Sequence, residues 1–108
     1  MIATGLVLLT LAAPARVQVG ADEFGYTLSR PAIKAGPAIV QLANFGEDEH
    51  DLRLLRVGGT RTYRIGTVAP GDVRELEARF LPGRFRLWCS LADHRARGMS
   101  ATLLVKKT

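Results

Sequence analysis

Short runs of alternating apolar and polar residues, cut by glycine or proline every eight to twelve positions or so, constrain this chain more than any other feature. Helical periodicity is hard to find, and the rhythm argues for a β-sandwich or barrel. Strands are predicted at Val17–Gly20, Tyr26–Ser29, Ala38–Asn44, Asp51–Val57, Tyr63–Ile65, Val73–Phe80, Arg84–Cys89 and Ala101–Lys106, about eight in all. Between them stand Ala35-Gly36-Pro37, Asn44-Phe45-Gly46, Gly58-Gly59, Pro70-Gly71 and Pro82-Gly83, which offer preset or left-handed backbone angles. With 108 residues and no repeat or linker, the pattern describes a single all-β domain.

Side chains on a strand alternate between its faces, so each run declares its buried set. His50, Leu52 and Leu54 point inward, against Asp51 and Arg53 outward. Leu76, Ala78 and Phe80 oppose Glu75, Glu77 and Arg79, and Phe85, Leu87 and Cys89 oppose Arg84 and Arg86. Met99 shares the inward parity of Ala101, Leu103 and Val105. His50, Cys89 and Met99 therefore stand at strand ends on the core side. His94 lies in the nine-residue loop between the last two, long enough to fold back over one pole of a sandwich.

In "WCSLADHRARGM" the Cys, His and Met follow one another at intervals of five. Together with His50 they are both histidines, the one cysteine and the one methionine besides Met1. Singly, a histidine at a strand start is usually hydrogen-bonded at the surface, a buried cysteine is a small hydrophobe, and a methionine fills core. Jointly they point to one metal ion. Two imidazoles, a thiolate and a weak axial thioether are the ligands of a blue-copper centre. Zinc usually takes further Cys, His or carboxylate in place of Met, and calcium or magnesium takes oxygen.

The chain resembles the cupredoxins, the plastocyanin/azurin/rusticyanin-like blue copper proteins. "NFGEDEHDLRL" resembles the family's first-ligand region, and "PGRFRLWCSLADHRARGMSATLLV" its C-terminal signature, with a Pro-Gly turn, an aromatic before Cys and a Gly before Met. The resemblance covers Arg16 to Thr108 and implies a Greek-key β-sandwich or barrel holding one type 1 copper ion. His50, Cys89 and His94 would be equatorial ligands and Met99 axial. The implied function is electron transfer between extracytoplasmic redox partners, without catalysis: Cys89 is the conduit, His50 the buried anchor, His94 the exit. Copper storage or delivery through the same ligands is the alternative. Asp51 stands where many cupredoxins have Asn; it either accepts hydrogen bonds, from Ser90 for example, or points into solvent. Trp88 either covers the outer face or lies on a second electron route. The acidic run Glu47-Asp48-Glu49 is a solvated loop, a partner contact or a copper-entry lip.

Net charge is +5, with twelve Arg to three Lys, scattered rather than gathered. No basic run alternates with aromatics, which argues against nucleic acid. Long-range steering and the pair Arg95 and Arg97 beside His94 favour transient redox protein partners with an acidic docking surface. Residues 1–15 read as a signal peptide, an apolar run followed by Ala13-Pro14-Ala15, although no Lys or Arg precedes the run. The remaining chain, 16–108, is then a single cupredoxin-like domain, monomeric and periplasmic, cell-surface or secreted, with membrane proximity left open. A single cysteine in an exported chain has no internal partner and calls for burial, an intermolecular bond or a cap, and a metal is such a cap.

Overall fold

A computed structural model describes residues 13–107, all strands, turns and loops. The expected leader lies outside the described residues apart from its last three, of which Ala15 pairs with Ala38. Nine strands form: β1 (Ala15–Asp22), β2 (Gly25–Leu28), β3 (Ala32–Lys34), β4 (Gly36–Asn44), β5 (His50–Arg56), β6 (Thr62–Val68), β7 (Val73–Phe80), β8 (Gly83–Trp88) and β9 (Ser100–Lys106). The strand that the sequence pattern passes over is β3. At three residues it is too short to show alternation, and it exists by parallel pairing with β9.

One sheet has the order β2-β1-β4-β7 and the other β3-β9-β8-β5-β6. Their inner faces meet in one core, where alternate residues of each strand are buried. Val17, Val19 and Ala21 of β1 and Ala38, Val40 and Leu42 of β4 face Leu52 and Leu54 of β5, Phe85 and Leu87 of β8, and Leu103 and Val105 of β9. Phe80 packs at a tilt against Phe85 at 4.8 Å and meets Tyr63 edge-on at 5.0 Å, filling the end away from His50. The inward parity read from the sequence holds along β5, β7, β8 and β9.

Asn44 at the end of β4 organises the loop that leads to His50. It is buried, and its side-chain amide donates to the carbonyls of Asp48 (2.8 Å) and Val68 (2.9 Å), while Oδ1 accepts from Gly46 N–H (2.9 Å). Replacing it with alanine strands the buried Val68 carbonyl and releases the loop at Asp48. Asn44→Ala is expected to cost about 1–3 kcal/mol in chemical denaturation, and an unchanged midpoint would show that the loop holds without it.

Candidate metal centre

Four side chains converge at one pole. His50 opens β5, Cys89 follows β8 directly, Met99 precedes β9, and His94 comes from the turn-rich segment between them. Strands β8 and β9 stay joined beyond their ends, because Cys89 N–H donates to the Met99 carbonyl at 3.2 Å. The loop above this tie is knitted internally. Its bonds run from His94 N–H to Leu91 O, from Met99 N–H to His94 O, and from Arg97 N–H to Asp93 O and His94 O, each at 3.1 Å. Gly98, at φ +104, makes the reversal that returns the chain to Met99.

One donor atom from each of His50, Cys89 and His94 lies within 4.8 Å of the other two. Cys89 Sγ is 3.5 Å from His94 Nδ1, and the two imidazole centroids are 5.0 Å apart. Met99 is buried at the same pole in one core with Cys89. His50 Nδ1 is buried and has no hydrogen-bond partner. Such an atom costs about 1–3 kcal/mol unless a ligand takes its lone pair. Among the described residues no carboxylate joins the cluster. Nitrogen and sulfur donors without oxygen suit a soft or borderline metal, and the thioether favours copper over zinc. The four residues fit one type 1 copper site.

Burial pushes the Cys89 thiol up from its ordinary value of 9.0, against the pull of the Asp51 and Leu91 backbone N–H groups on the sulfur. A coordinated metal would reverse this, since a ligating thiol is deprotonated outright.

Around the donors the structure decides between the two readings of Asp51: it is 2 % exposed and accepts from Ser90 rather than pointing into solvent. The ladder between β5 and β6 shifts register between His50 and Leu52, and the turn after Cys89 folds over the carboxylate. Asp51 Oδ1 accepts from Ser90 N–H at 2.7 Å, Oδ2 accepts from the Ser90 hydroxyl, and Arg53 stands 3.6 Å away. Strand β5 is thereby tied to the Cys89 turn. Tyr26 adds a bond from its hydroxyl to the Asp51 carbonyl, and its own pKa is raised, mainly by burial.

Two residues of the site escape the sequence reading. Glu23 and Phe24 form the turn between β1 and β2, on the opposite sheet. Phe24 lies 4.7 Å from His94 and meets His50 nearly edge-on at 6.4 Å. Glu23 Oε1 is 3.1 Å from His50 Nε2. The His94 edge is consequently only 7 % exposed, with Phe24 over it and Asp48 Oδ2 3.7 Å from Nε2. Of the other candidates, Arg97 lies over Phe24 at 5.1 Å and pairs with Asp93, and Arg95 covers the Trp88 ring at 4.7 Å. The only local signal for Glu23 and Phe24 is a carboxylate and an aromatic beside Gly25 in a turn, which says nothing about the distant His50.

The architecture is the cupredoxin fold. No family model and no curated protein matches the chain. Solved structures do. Auracyanin A, a "blue" copper protein from Chloroflexus aurantiacus, superposes with a TM-score of 0.69 at 13% identity, covering 87% of this chain and 100% of that one. A purple cupredoxin from Nitrosopumilus maritimus gives 0.60 at 18%, covering 85% and 99%. A multicopper oxidase gives 0.61 at 20%, covering 85% of this chain and 42% of the oxidase.

The raised thiol pKa has a consequence for the metal-free protein. Between the unfolded thiol's value and the higher folded one, the folded state keeps a proton that the unfolded state has lost. Stability therefore falls as pH rises above about 9. Denaturation midpoints at pH 8 and pH 10 should show this drop in the wild type and a smaller one in Cys89→Ser; equal drops would mean that other groups cause it.

Proposed function

We propose that this chain binds one copper ion through His50, Cys89, His94 and Met99 and carries single electrons between redox proteins outside the cytoplasm. The observation that carries the reading is the unpartnered, buried Nδ1 of His50, set in a pocket of nitrogen and sulfur donors without a carboxylate. Copper bound there supplies a one-electron couple between Cu(II) and Cu(I). The protein's share is rigidity. His50 is anchored from behind by Glu23, Cys89 is tied through Met99 and Asp51–Ser90, and His94 is held by its loop. Little can move when the charge changes. Phe24 keeps water from the His94 edge, and the electron leaves across that thin cover. Oxidases of related fold need further histidine clusters, and this chain has two histidines in all.

The first test is to add Cu(II) to the metal-free protein and record the visible spectrum. An intense sulfur-to-copper band is expected, abolished in Cys89→Ser. Fast, reversible bleaching by a one-electron reductant separates a carrier from a storage or delivery protein, which would instead release the ion readily to a competing chelator. A wild-type spectrum without the band would end the copper reading.

Charge distribution supports an acidic partner. The outward positions of β3, β5, β6, β8 and β9 hold Lys34, Arg53, Arg64, Arg84, Arg86 and Lys106, and the one carboxylate among them, Asp51, is buried against Ser90. The outer face of the other sheet is mixed: Arg16 and Arg79 stand with Asp22, Glu75 and Glu77. Positive potential on one broad face steers anions toward it and is screened by salt. Oxidation of the copper-loaded, reduced protein by anionic ferricyanide should slow as ionic strength rises. Arg84→Glu with Arg86→Glu should flatten that slope; a slope unaffected by the reversal would remove the face from the docking account.

A further inference from the structure

We propose that Glu23 is the positioning residue of this centre: it holds His50 in the Nε2–H tautomer, aims the Nδ1 lone pair at the metal position, and sets a negative charge behind that ring. This rests on the copper reading. The geometry constrains the tautomer before any metal is considered. One oxygen, Oε1, accepts from Asp48 N–H at 2.7 Å and Glu47 N–H at 2.8 Å, and it lies 3.1 Å from His50 Nε2. Two backbone donors fix that oxygen, so the ring conforms to the carboxylate rather than the reverse. An oxygen that already takes two backbone N–H groups is an acceptor, and a carboxylate has no hydrogen of its own to offer the ring. Nε2 must then carry the hydrogen. In a neutral imidazole that leaves Nδ1 as a bare lone pair, and Nδ1 is the buried atom that no protein group meets.

The surroundings reserve a place for the carboxylate. A Cβ on Gly46 would strike the Glu23 carboxyl group, with the nearer contacts under 3 Å, so the loop before His50 can hold the acid only while that residue is glycine. Glu23 also spans the sandwich. It sits in the β1–β2 turn of one sheet and grips the loop and first residue of β5 in the other. A histidine whose outer nitrogen donates to a carboxylate is a more basic ligand than a free one. The ionised group also favours the more positive of two metal charge states. Glu23 thus fixes where His50 points and biases the centre toward Cu(II).

Three chains test this: wild type, Glu23→Gln, which keeps an accepting oxygen without charge, and Glu23→Ala. In the metal-free proteins at pH 8, the side-chain ¹⁵N–¹H correlation spectrum should show His50 protonated on Nε2 in the wild type and in Glu23→Gln. Glu23→Ala should show a mixture of tautomers. In the copper-loaded proteins, Glu23→Gln should shift the preference toward Cu(I) about tenfold, which is 59 mV for one electron. Glu23→Ala should also bind Cu(II) about 10–100-fold more weakly. Wild-type His50 protonated on Nδ1, or a Glu23→Gln potential equal to that of the wild type, would overturn the assignment. A wild type that binds no copper sinks the proposed function instead, and the tautomer spectra still decide whether Glu23 positions His50.

Discussion

The backbone bond from Cys89 N–H to the Met99 carbonyl is the constraint on which the pole depends. It closes a nine-residue loop at its base, so that the sulfur of Cys89, the ring of His94 and the side chain of Met99 all start from one short rung. It extends the β8–β9 ladder one step past Trp88 and Ser100, to the two sulfur-bearing residues themselves. With it, one further element has to be brought into place, the first residue of β5. Asp51 and Ser90 do that from one side and Glu23 from the other. The centre is a junction of three chain segments, each pinned by hydrogen bonds that do not involve a metal.

Such pinning suits the electron transfer proposed above, because ligands that shift between oxidation states slow the exchange. The polar atoms nearest the donors are almost all satisfied: the Asp51 carboxylate, the Asn44 amide and Glu23 Oε1 each have partners. The exception is His50 Nδ1, in a residue that shares its cluster of donor atoms with Cys89 and His94. Among the described residues it is the one buried side-chain nitrogen or oxygen without a hydrogen-bond partner, which suits a ligand at that point.

Much of this was legible in the sequence, and what was hidden follows a rule. Alternation along "HDLRLL", "RFRLWC" and "MSATLLV" places His50, Cys89 and Met99 on inward parity at strand ends, because the period of two is a local property of an extended chain. The same alternation assigns Asp51 to the outside, which is right for the sheet and wrong for its environment. Whether an outward side chain meets water depends on what folds over it, here the turn carrying Ser90. Glu23 and Phe24 were invisible for a related reason: they reach His50 and His94 from a hairpin in the other sheet, about 27 residues upstream of His50, and nothing in the sequence near either histidine registers them. Strand β3 was missed because its three residues are ordered by β9 rather than by any pattern of their own.

The short β3 has a further effect. An open sheet edge is a template on which a second chain can add, and small all-β proteins are vulnerable there. Here β3 pairs with the last three residues of β9, Leu104 to Lys106, and itself offers only three residues for continuation. The longest free margin, β7, carries Arg74, Glu75, Glu77 and Arg79, whose charges would have to be stripped of water before a neighbour could align. The chain is thereby discouraged from growing into fibrils by the same economy of length that conceals β3 from a reader of its sequence.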